Sequence, residues 1–185
     1  MPAPPAAASI SLTIPRTARH LNRKLQYSME RMEIQLVTLG RRTTGKQAAA
    51  DELYSGYCQR IGRFCGCHTE HYATEEKLFA AWDRGSRARS MLILLDHRGR
   101  TWSSETFAQW LQRERDRGIQ QFTFAVGPAD GWSEVVLREA TTRRDWLVLS
   151  LGPMTLPHEL AAVVLAEQIY RAFTIVEGHP YHLGH

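Results

Sequence analysis

Cysteine is scarce in this 185-residue chain: Cys58, Cys65 and Cys67 are the only three, an odd number without the spacing of a secreted disulfide framework. That excludes a small cystine-stapled fold and predicts a reduced compartment. Long apolar runs are also missing, since none approaches the roughly 20 residues of a membrane span. A soluble, cytoplasmic protein with no membrane partner is expected. No acidic residue precedes Glu30, so Arg16, Arg19, Arg23, Lys24 and Arg31 account for the whole formal charge of +4, and residues 32–185 are formally neutral. A pI near 9.2 therefore says little about the folded body. No Gly-x-Ser-x-Gly elbow occurs, which argues against a serine hydrolase.

What is present divides at about residue 31. Residues 1–31 carry Pro2, Pro4, Pro5, a run of alanines and the arginines, without the apolar stretch of a secretory signal. They read as an extension outside the core: disordered, preceding a true start near Met32, or a basic transit peptide to an organelle. Residues 32–185 are long enough for one domain with a real core, and 43% hydrophobic with 23% charged residues is ordinary globular usage.

Short β-rich runs alternate with helical stretches. Strands are expected at 33–39, 67–72, 90–95, 122–126 and 146–149, and helices at about 46–63, 75–82, from a Ser103 or Ser104 cap to Arg117, 133–140 and 157–176. Gly118 stops the third helix. Strands this apolar need cover on both faces, so the chain predicts an α/β fold with a doubly wound, parallel-rich sheet. Ligands then belong at the carboxyl ends of strands, in the loops after Leu95, Val126 and Leu149. The last helix is apolar around most of its circumference, which suggests a subunit partner.

Two motifs are decoys on this reading. Gly40 to Lys46 matches a phosphate-binding loop except that Gln47 stands where Ser or Thr would hold magnesium, and Asp96 ends an apolar strand as such enzymes require. A nucleotide-binding protein is the rival reading; an ordinary turn opening an exposed helix is preferred. Cys58, Cys65, Cys67, His68 and His71 invite zinc, but no second ligand pair has ribbon or finger spacing, and Cys65 and Cys67 would share one face of a strand. No metal is expected. Arginine clusters at 84–89, 98–100, 113–117 and 143–144 permit RNA binding without requiring it.

The final segment is the most informative. Leu151, Gly152, Pro153, Met154, Thr155 and Leu156 form an uncharged loop that can offer a ligand only backbone groups and apolar walls. His158 then opens a helix, where free N–H groups favour an electron-rich ligand atom. His179-Pro180-Tyr181-His182 follows that helix with donors, acceptors and an aromatic face.

These segments, with Glu33 to Gly40, Leu94-Leu95-Asp96 with Gly99, Val126 to Gly131, and Glu167-Gln168-x-Tyr170-Arg171-Ala172, resemble the ribosomal RNA large subunit methyltransferase H family. The resemblance covers residues 32–185. It implies a SPOUT-like domain with a C-terminal trefoil knot, S-adenosylmethionine as cofactor, a homodimer, and methylation of N3 of a pseudouridine in the 23S rRNA of the large ribosomal subunit. By position it assigns the cofactor pocket to Leu95, Gly127, Pro128 and the loop from Leu151 to Leu156. One departure is Pro128, where the family usually has a second glycine; the lost N–H and fixed φ predict a weaker local contact. Candidate catalytic residues are His158, Arg171, His179, Tyr181 and His182, and an inactive RNA-binding relative is the other alternative. With a neutral body, the RNA site is expected to be shared across the dimer.

Overall fold

The computed structural model describes residues 32–40, 48–85 and 89–183, with all their side chains except those of Ala48, His182 and Leu183. The phosphate-loop-like motif at 41–47, the extension 1–31, Arg87 and His185 lie outside the described residues, as does the His182 side chain. Strands β1 (Glu33–Leu39), β2 (Gly66–Tyr72), β3 (Ser90–Thr101), β4 (Gln121–Val126) and β5 (Trp146–Ser150) alternate with helices α1 (Ala48–Ile61), α2 (Glu75–Gly85), α3 (Ser104–Asp116), α4 (Glu134–Thr142) and α5 (His158–Val176). The sheet is parallel throughout, in the order β2-β1-β4-β3-β5.

The period-two pattern of the strands sorts side chains onto two faces. Ile34, Leu36, Ile93, Leu95, Phe122, Phe124, Val126, Leu147 and Leu149 enter one core with residues of α1, α3 and α5. Val37, Leu39, Leu92, Leu94, Ala125 and Trp146 enter a second with Leu78 and Trp82 of α2 and Val136 and Ala140 of α4. Both faces are covered, which is the doubly wound arrangement.

Local chemistry sets the helix ends. Ser103 caps α3, its Oγ accepting from the Thr106 N–H at 3.2 Å, and Gly118 beyond its end takes φ +96°. Ser104, the other expected cap, instead donates to Gln168 Oε1 at 2.7 Å and ties α3 to α5.

Two expectations need correction. Strand β3 does not end at Leu95: after an irregularity, Arg100 and Thr101 pair with Leu149 and Ser150. Leu149 thus has both Leu95 and Arg100 as ladder partners, and a Cβ on Gly99 would lie 2.6 Å from the Leu149 carbonyl carbon. The charged run Asp96 to Arg100 has no apolar period, so a strand partner cannot be read from it. Cys65 and Cys67 do not share a strand face: β2 starts at Gly66, Cys65 is buried in the core, and Cys67 faces Cys58.

Candidate functional site

Because β4, β3 and β5 are neighbours and parallel, their carboxyl ends open on one edge, and the three expected loops are adjacent. The irregular part of β3 beyond Leu95 is held by a carboxylate. Asp96, whose side chain is 1% exposed, accepts from the Arg98 backbone N–H at 3.0 Å and its Nε at 2.8 Å through Oδ1, and from Nη2 at 3.1 Å through Oδ2. Burial pushes the Asp96 pKa up, but the side-chain and backbone bonds from Arg98 and its charge outweigh burial and hold it below the ordinary carboxylate range. Arg98 also donates to the Trp132 carbonyl at 3.2 Å and reaches Glu134, so it joins the irregular part of β3 to the start of α4.

Trp132 completes the junction. Its Nε1–H donates to the Leu95 carbonyl at 2.8 Å, and a Cβ on Gly127 would lie 2.8 Å from that nitrogen. Gly127 is therefore needed for close approach, while the left-handed position of the turn is Gly131, at φ +79°. The turn is closed by the Gly131 N–H donating to the Pro128 carbonyl at 2.9 Å, so Pro128 occupies a position whose carbonyl is used. Ser133 caps α4 and is itself held by Glu75, at 3.0 Å from its N–H and 2.9 Å from its Oγ.

The loop after β5 has no regular structure between Leu151 and Pro157. The Gly152 N–H donates to Ser150 Oγ at 3.2 Å, and Gly152 takes φ +128°. Pro153, Met154 and Thr155 are exposed, Met154 to 80%, and Leu151, Gly152 and Leu156 are partly buried. His158 begins α5, and its Nε2 is buried with no hydrogen-bond partner. That orphaned nitrogen beside an uncharged loop is the polar atom here that still wants a partner.

The other candidates lie elsewhere. Thirteen residues separate His158 from Arg171, so they are about 20 Å apart along α5. Arg171 Nη2 pairs with Glu167 Oε1 at 2.7 Å, its guanidinium lies 5.1 Å from the Tyr181 ring centre, and the Tyr181 hydroxyl donates to the same oxygen at 3.3 Å. Tyr170 meets Tyr181 edge-on at 4.9 Å, and Arg60 of α1 lies over Tyr57 at 5.0 Å. Burial first, then the neighbouring Tyr57 hydroxyl, pushes the Tyr181 pKa up to about 12. The tail turns back at Gly178, φ +66°, where the His179 N–H donates to the Thr174 carbonyl at 2.8 Å. His179 is exposed, its Nδ1 accepting from the Tyr181 N–H at 3.2 Å.

The family described as predicted SPOUT methyltransferase matches residues 32–182. Ribosomal RNA large subunit methyltransferase H of Koribacter versatilis is 43% identical over 154 residues, which is 83% of this chain and all of that protein. The chain belongs to the ribosomal RNA large subunit methyltransferase H family. The Brucella anthropi protein of the same name is 47% identical over 58% of this chain and 61% of its own length. A methyltransferase from Legionella pneumophila, solved with SAM bound, superposes at a TM-score of 0.41 with 19% identity, covering 77% of this chain and 67% of that one. A likeness that loose says nothing about the pocket.

This methyltransferase H family member also has a groove of about 570 Å³, lined by Arg98, Gly99, Arg100, Arg138, Arg143 and Trp146 among others. Arg98 and Arg143 are engaged by carboxylates, whereas Arg100 and Arg138 have no such partner among the described residues. Sequence reasoning named Leu95, Gly127 and the 151–156 loop as candidates, without the contacts the structure shows around the first two. Trp132 was legible only as an aromatic five residues after a glycine, and the Asp96–Arg98 clamp only as opposite charges two residues apart.

Proposed function

We propose that this chain transfers a methyl group from S-adenosylmethionine to N3 of a pseudouridine in large-subunit 23S rRNA, in the cytoplasm, as a homodimer whose two active sites are each built from both copies. The observation that carries the reading is that the irregular part of β3, the turn after β4 and the uncharged 151–156 loop arise from neighbouring parallel strands, with the orphaned His158 nitrogen at the start of the helix that follows. The activity in the relatives' names supports it. The residues fit the cofactor: Leu151 to Leu156 can offer backbone groups and apolar walls to an adenine, and the Gly127–Pro128 turn, at the end of the strand two places across the sheet, is assigned to the same pocket.

The bound cofactor supplies an activated methyl on a sulfonium, so the protein's task is alignment, which is worth about 7–11 kcal/mol when reacting atoms are held in line. The imide N–H of the base must lose its proton. His158, His179 and His182 are the candidates to take it. Tyr181 holds its proton at neutral pH and acts as a donor, with Arg171 stabilising the developing imidate. The separation of about 20 Å along α5 supports a shared site, because one chain's tail cannot serve its own loop in this arrangement. Exposed Met154 and Leu160 (46% exposed), with Val164 partly exposed on the same helix, fit a self-complementary contact. The double pairing of Leu149 and the tight passage at Gly99 support a trefoil knot formed where β5 passes the 96–101 segment.

The test is incubation of purified protein and S-adenosylmethionine with ribosomes lacking the modification, followed by nucleoside mass spectrometry. The expected product is N3-methylpseudouridine at one 23S position. No methylated nucleoside with either ribosomes or naked rRNA would remove the proposal.

A further inference from the structure

Two nucleophilic side chains meet at the junction of α1 and β2, one residue from Tyr57, which neighbours Tyr170 and Tyr181 at the tail end of the proposed site. Cys58 is in the last turn of α1 and Cys67 is the second residue of the edge strand β2, and their sulfurs are 2.8 Å apart. That is closer than ordinary non-bonded contact between heavy atoms. Both thiols are free and only partly buried, so a small reagent can reach them. Cys65 is different: it is 7% exposed, and burial pushes its pKa up to about 12.

We propose that Cys58 and Cys67 form an oxidation site that closes to a reversible intramolecular disulfide when the protein meets a hydroperoxide. The Cys58 thiolate attacks one peroxide oxygen, breaking the O–O bond and giving a sulfenic acid plus water or an alcohol. The Cys67 thiol then displaces water from that sulfenic acid and the S–S bond forms. Two electrons leave the sulfurs and reduce the peroxide, and a dithiol reverses the change. Cys58 is the first nucleophile because the hydrogen bond from Cys67 lowers its pKa, while the same contact and burial raise that of Cys67. The bond would fasten the end of α1, next to Tyr57 and Arg60, to the sheet edge.

The test uses the folded full-length protein, treated with a small excess of hydrogen peroxide, alkylated and mapped by mass spectrometry. The expected result is loss of two of three thiols, an intact mass lower by two hydrogens, a Cys58–Cys67 cross-linked peptide, and full recovery with dithiothreitol. Cys65 should alkylate only after unfolding. Cys67→Ser should leave a sulfenic acid on Cys58 that dimedone traps, and Cys58→Ser should abolish the rapid reaction. Three retained thiols, a cross-link through Cys65, or cross-linking only between chains would overturn the proposal. The readout does not involve methyl transfer, so its failure leaves that reading untouched.

Discussion

Asp96 ends the apolar part of β3 with a buried carboxylate, and three donors from Arg98 make that burial tolerable. Replacing it with alanine removes charge-assisted bonds and should cost about 2–3 kcal/mol, read as a lower denaturation midpoint. The pH dependence has a definite sign. Since the folded pKa is depressed, the clamp contributes fully above the unfolded carboxylate value of about 3.9 and is lost as pH falls through the lower folded value. The stability difference between wild type and Asp96→Asn should therefore be flat near neutrality and shrink below about pH 4. Trp132→Phe keeps most of the ring but removes the hydrogen bond to the Leu95 carbonyl, a loss of about 0.5–1.5 kcal/mol, with weaker S-adenosylmethionine binding by calorimetry. Neither role was legible from sequence. The spacing of Asp96 and Arg98 is equally that of a solvated turn, and only the folded loop shows the indole of Trp132 closing over Gly127.

Elements were far more legible than the contacts between them. β1 was read at its full extent, and β4 and α5 to within a residue at either end, because apolar periodicity and caps are local signals. The extension of β3 to Thr101 was invisible because its signal is a partner strand about 50 residues away. Two glycines separate these kinds of information. Gly99 has ordinary φ but no room for a Cβ, since the β5 backbone passes at 2.6 Å, so Gly99→Ala should be strongly destabilising. Gly178 has open space around it but φ +66°, so Gly178→Ala should cost only about 1 kcal/mol. Thermal melts of the two variants should rank in that order, with methyl transfer more affected than stability in Gly178→Ala because the tail is re-aimed.

At the scale of the whole molecule the candidate residues divide into two groups, the 151–156 loop with His158 and the tail with Arg171. The sequence put His158, Arg171 and the histidine tail together because they are close in the chain; the length of α5 separates His158 from Arg171 and Tyr181, which stay together. Membership of the family was legible from the terminal motifs, and Arg100 was legible within the 98–100 cluster, whereas Arg138, a lone arginine in the sequence, was not. Arg100 and Arg138 in the groove are the best placed to meet phosphates, having no carboxylate partner among the described residues. Replacing either with alanine should reduce the salt slope of rRNA binding by about one without changing S-adenosylmethionine affinity.

The central claim is a site shared between two copies, and complementation tests it most directly. One chain carries Gly127→Val, which drives a branched side chain into Trp132 and spoils its own cofactor loops; a second, differently tagged chain carries Arg171→Ala and lacks the tail function. Either homodimer should be inactive. A heterodimer purified through both tags has one intact composite site of two, so it should methylate ribosomes at about half the wild-type rate. A heterodimer as inactive as its parents would contradict the account.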